Sequence, residues 1–165
     1  MKKIFLIILK IFLILFAIAV FISMFLPVMS YEISCFDINI IFTVPGYLGT
    51  FGGKLQHHVI FVRTDYNLNI IPLIGYILPT LSIITLYFGY KFKKKLLIIL
   101  PIILCIIAAI FIYLQPTLYF LVNNMSLQEG ANMTILIGPK LGVIFAAMTA
   151  LFNGLYISLK NKLII

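Results

Sequence analysis

Residues 70–113 run IIPLIGYILPTLSIITLYFGY, then KFKKK, then LLIILPIILCIIAAIFIY. Each flanking run is uncharged and close to the roughly 20 apolar residues that span a hydrocarbon core about 30 Å thick. The link between them carries four lysines, Lys91, Lys93, Lys94 and Lys95. Two apolar crossings joined by so short and basic a link predict a helical hairpin whose turn stays in the cytoplasm.

Two more runs extend the pattern outward. The first covers about residues 4–28 and is interrupted only by Lys10, whose long stem can carry its charge towards the interface. The last covers about residues 138–159, with Lys140 near its start. The expectation is therefore a membrane all-α fold of four transmembrane helices at about 4–28, 70–90, 96–116 and 138–159, in one integral membrane domain over 1–165. The cytoplasmic loop is 91–95, and the outer loops are about 29–69 and 117–137. Met1-Lys2-Lys3 and Val28-Met29-Ser30 leave a signal peptide as the alternative for the first run. The apolar stretch from Ile11 to Met29 exceeds the 7–15 residues usual in a signal, which favours a retained helix. A lipoprotein signal ending at Cys35 fails, because Glu32 stands where an aliphatic residue is required.

Composition agrees. The chain of 165 residues is 64% hydrophobic and 10% charged, with a mean hydropathy of +1.22. A soluble domain of this length is about half apolar and buries only about 70% of its unfolded surface. A soluble enzyme, a nucleic-acid-binding module and a disordered tail are thereby excluded. The net charge of +8 is a topological signal. Lys2, Lys3, Lys10, the four lysines of the central link, Lys160 and Lys162 fall on one side of four crossings. Lys54, Arg63, Lys140 and all four acids (Glu32, Asp37, Asp65, Glu129) fall on the other, leaving roughly +9 against −1. Basic residues stay on the cytoplasmic side, so both termini are expected there, with the protein in the plasma membrane. The lysines also attract anionic lipid.

The first outer loop is too apolar for a linker. Phe36, Ile38, Ile40, Phe42 and Val44 alternate with Asp37, Asn39 and Thr43, the period of a half-buried strand. Pro45-Gly46 and Gly49 to Gly53 punctuate as a turn, and Leu55 to Thr64 forms a second strand-like stretch. An extracellular β-hairpin or small sheet is expected, with Tyr31 to Cys35 as a candidate third strand, since two strands alone are marginal. The second outer loop is short and polar. Its sequons, Asn124-Met125-Ser126 and Asn132-Met133-Thr134, match chance expectation.

Within the last run, Gly138, Gly142, Ala146, Ala150, Gly154 and Ser158 recur every four residues. Small residues at this spacing let helices approach closely, where van der Waals contact drives association in lipid. The ridge serves contacts inside the bundle, a homo-oligomer interface, or both. Asn153, the strongly polar residue deep in this helix, is expected to bond to a neighbouring helix. Pro72, Gly75 and Pro79 are candidate helix breaks, either tolerated kinks or carbonyls freed along a ligand path.

The apolar runs hold no Asp, Glu, His or Arg. That argues against a proton-coupled antiporter, which needs an ionisable relay, and against intramembrane proteolysis, which needs a nucleophile and base or paired carboxylates. His57 and His58 are neighbours that a strand would turn to opposite faces, a poor chelate even with Asp37 or Asp65. Gly46 to Gly53 is glycine-rich but lacks the Lys-Ser/Thr of a phosphate-binding loop. Two cysteines without a C-x-x-C motif, Cys35 and Cys105, give no redox motif. No cofactor or metal is expected, and no enzyme activity.

Four helices with cytoplasmic ends, a long β-forming first outer loop and a shorter second one resemble the claudin-type tetraspan architecture. The resemblance is of layout over the whole chain. The claudin first loop carries a Gly-Leu-Trp stretch and two cysteines; here tryptophan is lacking, Gly46-Tyr47-Leu48-Gly49 is an echo, and one cysteine, Cys35, lies in the loop. The layout is also similar to small four-helix membrane proteins of low-GC Gram-positive bacteria. Neither resemblance carries over a functional residue. The expected function is a non-enzymatic, structural or accessory membrane protein. Its partners would be the lipid bilayer and either a second copy of itself or a larger membrane protein. A small transporter, pore or immunity-type protein is the alternative.

Overall fold

The computed structural model describes residues 2–35, 38–57, 62–123 and 133–161. In chain order the elements are α1 (Lys2–Ser23), β1 (Met29–Cys35), β2 (Ile38–Val44), α2 (Gly46–Phe51), β3 (Gly53–His57), β4 (Val62–Tyr66), α3 (Ile70–Lys91), α4 (Lys95–Tyr113), α5 (Gln115–Val122), β5 (Met133–Ile135) and α6 (Ile137–Asn161). Phe36, Asp37, His58, the stretch 59–61, the sequon residues Asn124, Ser126 and Asn132, Glu129 and Lys162 lie outside the described residues.

Among the described residues four helices, α1, α3, α4 and α6, are long and apolar enough to cross a membrane. They form a ring in which α3 lies on α4, α4 on α6, α6 on α1, and α1 closes back on α3. Lys10 of α1 approaches Tyr156 of α6, and Tyr90 of α3 approaches Ile157 of α6. At the opposite end the Gly138 N–H donates to the Pro27 carbonyl. The bundle thus has a lysine end, formed by the start of α1, the α3–α4 turn and the close of α6, and a sheet end bearing everything else.

Prolines set two boundaries that hydropathy alone misplaces. The apolar run continues to Val28, but α1 stops at Ser23. Pro27 has no N–H to donate and disfavours helical geometry at Leu26. Likewise the run through residue 116 is split: α4 ends at Tyr113, and Pro116 sits in the first turn of the separate helix α5, where a missing N–H costs little. Pro72 lies in the first turns of α3, and Pro79 inside it, yet α3 continues unbroken from Ile70 to Lys91. The helix thus runs on through Pro72, Gly75 and Pro79, the candidate breaks.

The outer region departs from a single hairpin. β1 pairs antiparallel with β2, from Met29↔Val44 to Cys35↔Ile38. On its other edge β1 pairs with β5, Met29↔Ile135 to Tyr31↔Met133, so the second outer segment completes a three-stranded sheet of order β2-β1-β5. The stretch expected as one strand from Leu55 to Thr64 instead supplies both β3 and β4, which pair with each other from Gly53↔Tyr66 to His57↔Val62. The expected turn after Pro45 is the short helix α2, started by Pro45 and stopped by Gly52 at φ 72° and Gly53 at φ 140°. Glycine adopts such positive φ without strain.

Three clusters make the core. Val20, Met24, Tyr76, Ala108, Ile112 and Ala146 fill the sheet-side half of the bundle. Leu9, Leu13, Leu86 and Tyr156 fill the lysine-side half. Val28, Met29, Tyr31, Val44, Leu48 and Tyr119 lie beneath the sheet. The helices are also apolar outside: Ile7, Ile11, Ile18, Ile103, Ile106 and Ile110 are all about half exposed. Ser23, Ser82, Gln115, Thr149 and Asn153 are buried. An apolar exterior around a partly polar interior suits lipid as the solvent.

Candidate functional site

Two polar clusters are sealed inside the bundle. The first begins with Ser82 of α3, Cys105 of α4 and Asn153 of α6, all at 0% exposure. The Ser82 hydroxyl donates to the Pro79 carbonyl at 2.6 Å, one turn back. Its oxygen then accepts the Asn153 amide Nδ2–H at 3.3 Å and the Cys105 thiol at 3.3 Å, with Asn153 Nδ2 also 3.7 Å from Cys105 Sγ. One residue from each of three helices therefore converges on a single hydroxyl. The Asn153 Oδ1 atom is buried and has no hydrogen-bond partner among the described residues. The cluster is built from neutral groups, and its geometry is that of an interhelical clasp.

The second cluster lies at the sheet end. The Tyr76 hydroxyl of α3 donates to Gln115 Oε1 of α5 at 2.6 Å. Gln115 Nε2 donates to the Thr50 hydroxyl of α2 at 2.9 Å, and Thr50 donates on to the Gly46 carbonyl at 3.0 Å. The Thr50 carbonyl accepts the Asn69 N–H, the last residue before α3, at 3.0 Å. All of Tyr76, Gln115 and Thr50 are fully buried. This chain ties a membrane-length helix to two short helices of the outer layer. Nearby, the Asn67 N–H donates to Asn123 Oδ1 at 2.7 Å, and Asn67 Nδ2 donates to the Val122 carbonyl at 3.1 Å. The two outer segments are thus locked together by side chains as well as by β1 and β5.

The small-residue ridge of α6 divides. Gly138, Gly142 and Ala146 are buried, Ala150 and Gly154 are half-buried, and Ser158 is exposed. At 3.6 residues per turn, each step of four advances about 40° around the helix, so five steps turn through about 200°. No single face can hold all six. The buried line leaves the ridge after Ala146 and continues through Thr149, Asn153 and Tyr156. A β-carbon on Gly138 would lie 2.8 Å from the carbonyl oxygens of Leu26 and Pro27, and one on Gly142 2.9 Å from Ile112 Cγ2 and Ser23 Oγ. On Gly154 it would meet only Ile102 Cδ1, at 3.8 Å.

Gly75 and Pro79 face inward with Pro72, all three buried. A β-carbon on Gly75 would lie 2.9 Å from Phe111 Cβ, so this glycine brings α3 against α4. Gly89 does the same one bundle-half away, with Leu97 and Ile98 backbone atoms at 2.8–2.9 Å. His57 closes β3 and pairs in register with Val62, while His58 and Asp37 lie outside the described residues. Among the described residues there is no group of three or more His, Cys, Asp or Glu.

Ser82, Thr50, Tyr76, Gln115 and Gly89 were not singled out by the sequence, and Cys105 was weighed there only for redox chemistry. The four-residue period pointed to Gly142 and Ala146, but nothing local distinguishes Gln115 or Thr50 from ordinary loop residues. Compared with protein-family models, with curated proteins and with solved structures, the chain matches none.

Proposed function

We propose that this is a multi-pass protein of the cell membrane whose role is assembly rather than catalysis. Its lysine end would lie in the cytoplasm, and its two-sheet outer layer on the far side. The outward turn of Ala150, Gly154 and Ser158 carries the proposal. After the inward ridge ends at Ala146, half-buried Ala150 and Gly154 and exposed Ser158 continue a strip of small side chains along α6, where a β-carbon on Gly154 would meet only Ile102 Cδ1, at 3.8 Å. Close helix approach over small residues is how lipid-embedded helices associate. The partner would be a second copy or a larger membrane protein.

The test is crosslinking in the native membrane. Ala150→Leu with Gly154→Leu should abolish the crosslinked species while the protein still folds, because neither residue is in the buried line. Unchanged crosslinking would remove the assembly role. A small pore, transporter or immunity-type protein is the alternative, favoured by the unpaired Asn153 oxygen at the centre of the bundle. Conductance or uptake in proteoliposomes that disappears in Asn153→Leu would support it.

A further inference from the structure

At the lysine end a groove of about 400 Å³ opens between α1 and α3, floored by α6. Three lysines line it, Lys10, Lys91 and Lys160, the Lys91 Nζ lying 6.0 Å from the Phe92 ring centre beside it. Below them its walls are apolar, with Leu13 and Ile14 on α1 facing Ile83 and Leu86 on α3. Two tyrosines hold Lys160 and Lys10. Lys160 Nζ lies 3.6 Å from the Tyr90 ring centre and 5.5 Å from that of Tyr156, and Lys10 Nζ lies 6.0 Å from Tyr156. Tyr90 in turn is held by α6, its hydroxyl 3.4 Å from Asn161 Oδ1. On the far side of Lys160 a second groove of about 770 Å³ adds Lys93 and Lys95 to the same neighbourhood.

The helices carry no acidic residue at all. The lysines of the groove therefore repel one another with no carboxylate on the helices that line it. The Lys10 backbone lies about 12 Å along α1 from Lys2, eight residues at 1.5 Å each, and its long stem carries the ammonium towards the other lysines of the groove. A cationic mouth above apolar walls calls for a counter-ion that also has an apolar part. An anion that carries acyl chains meets the need, and 400 Å³ is within the ordinary size of a ligand site.

We propose that this groove binds one anionic phospholipid, its headgroup phosphate among Lys10, Lys91 and Lys160 and an acyl chain along the Leu13–Leu86 walls. The proposal rests on the membrane reading above. A zwitterionic lipid is disfavoured because its own ammonium would face the lysines. Free phosphate is disfavoured because it leaves the apolar walls open.

The experiment uses the full chain in vesicles of equal parts phosphatidylcholine and phosphatidylglycerol. Flotation with the vesicles first reports membrane insertion. The floated protein is then extracted, and its retained lipid is identified by native mass spectrometry. Retained phosphatidylglycerol should exceed phosphatidylcholine at least tenfold in the wild type. In the Lys10→Gln/Lys160→Gln variant that preference should vanish, while Lys140→Gln at the sheet end should keep it. A raised unfolding midpoint with phosphatidylglycerol in the wild type, absent in the double variant, is the second expected result. Equal retention of the two lipids, or a preference that survives the double change in a protein with unaltered unfolding in neutral detergent, overturns the site. Displacement of the lipid by millimolar inorganic phosphate, with no loss of midpoint, overturns it in favour of a free-anion site. Failure to float overturns the membrane reading instead.

Discussion

The Tyr76 hydroxyl donates to Gln115 Oε1 at 2.6 Å across 39 residues of sequence, with both side chains wholly buried. The bond joins α3 to α5, and Gln115 passes the connection to Thr50 of α2. Truncating the middle member leaves the Tyr76 hydroxyl without its acceptor and takes the incoming donor from Thr50, which keeps its own bond to the Gly46 carbonyl. Gln115→Ala should cost roughly 1–3 kcal/mol for each buried group left without a partner. Tyr76→Phe removes one donor and strands one acceptor, so it should cost less than Gln115→Ala. Unfolding in mixed micelles measures both. A double-mutant cycle of the two should show coupling of about 0.5–3 kcal/mol, the range for residues in one network; strict additivity would mean that the bond is not made.

Asn153 behaves differently because half of its amide is already unsatisfied. Asn153→Leu loses the contacts to Ser82 and Cys105 but also removes a buried oxygen with no partner. Interhelical hydrogen bonds in membranes average only about 0.6 kcal/mol. The same micelle unfolding should therefore show a change of about 1 kcal/mol or less, smaller than for Gln115→Ala. A loss of several kcal/mol would require a further partner for the Oδ1 atom.

The contrast between these two residues shows what the sequence made legible. Runs of 18 or more apolar residues reveal helices because length and hydropathy are local properties, and the alternation read over Phe36 to Val44 pointed to the strand described from Ile38 to Val44. Asn153 stood out because one amide inside an apolar helix is conspicuous. Gln115 did not, because it precedes a proline at the edge of an apolar run, and its partners lie on α2 and α3. Its importance is a tertiary fact. The α6 ridge failed in a more instructive way. A period of four resembles a helix face over two or three turns, but the true repeat of 3.6 rotates it away, and Thr149 took over where Ala150 was expected. The outer layer was legible in kind and not in pairing. Pro45 to Gly53 marks a turn or a short helix equally well, and no local signal joins Tyr31 to Met133.

The α3–α4 turn offers a stability gain. Lys93 adopts φ 53°, and the Lys94 N–H donates to the Gly89 carbonyl at 3.1 Å. That is the glycine-preferring close of a helix, occupied here by lysine. Lys93→Gly should stabilise the fold by up to about 1 kcal/mol, against the entropy that glycine adds to the unfolded chain. Thermal unfolding in neutral detergent tests it. A clear destabilisation would show that the lysine side chain makes a compensating contact.

Orientation can be tested independently of stability. Four crossings place the start of α1 and the close of α6 at one end, with Lys91 to Lys95. In the proposed orientation, basic residues would hold that end in the cytoplasm. Phosphatase and fluorescent-protein reporters fused after the last residue should thus be inactive and fluorescent, respectively. The same pair inserted in the α3–α4 turn should behave alike, and insertion between β3 and β4 should reverse both. An active phosphatase at the carboxyl end would invert or break the topology.

Three glycines should separate close packing from mere small size. Gly89→Ala puts a methyl 2.8–2.9 Å from Leu97 and Ile98 backbone atoms, which cannot move without parting α3 from α4. Gly142→Ala meets Ile112 Cγ2 and Ser23 Oγ at 2.9 Å, side-chain atoms that can shift by a few tenths of an ångström. Gly154→Ala meets one methyl at 3.8 Å, ordinary van der Waals contact, and gains up to about 1 kcal/mol of helix preference. The expected order of destabilisation is Gly89 first, Gly142 second within the roughly 1–3 kcal/mol typical of overpacking, and Gly154 neutral or stabilising. Micelle unfolding of the three alanine variants decides it. If Gly154→Ala proved as costly as Gly89→Ala in dilute micelles, the second half of the α6 ridge would belong inside the bundle after all, and the strip on which the proposed assembly depends would not exist.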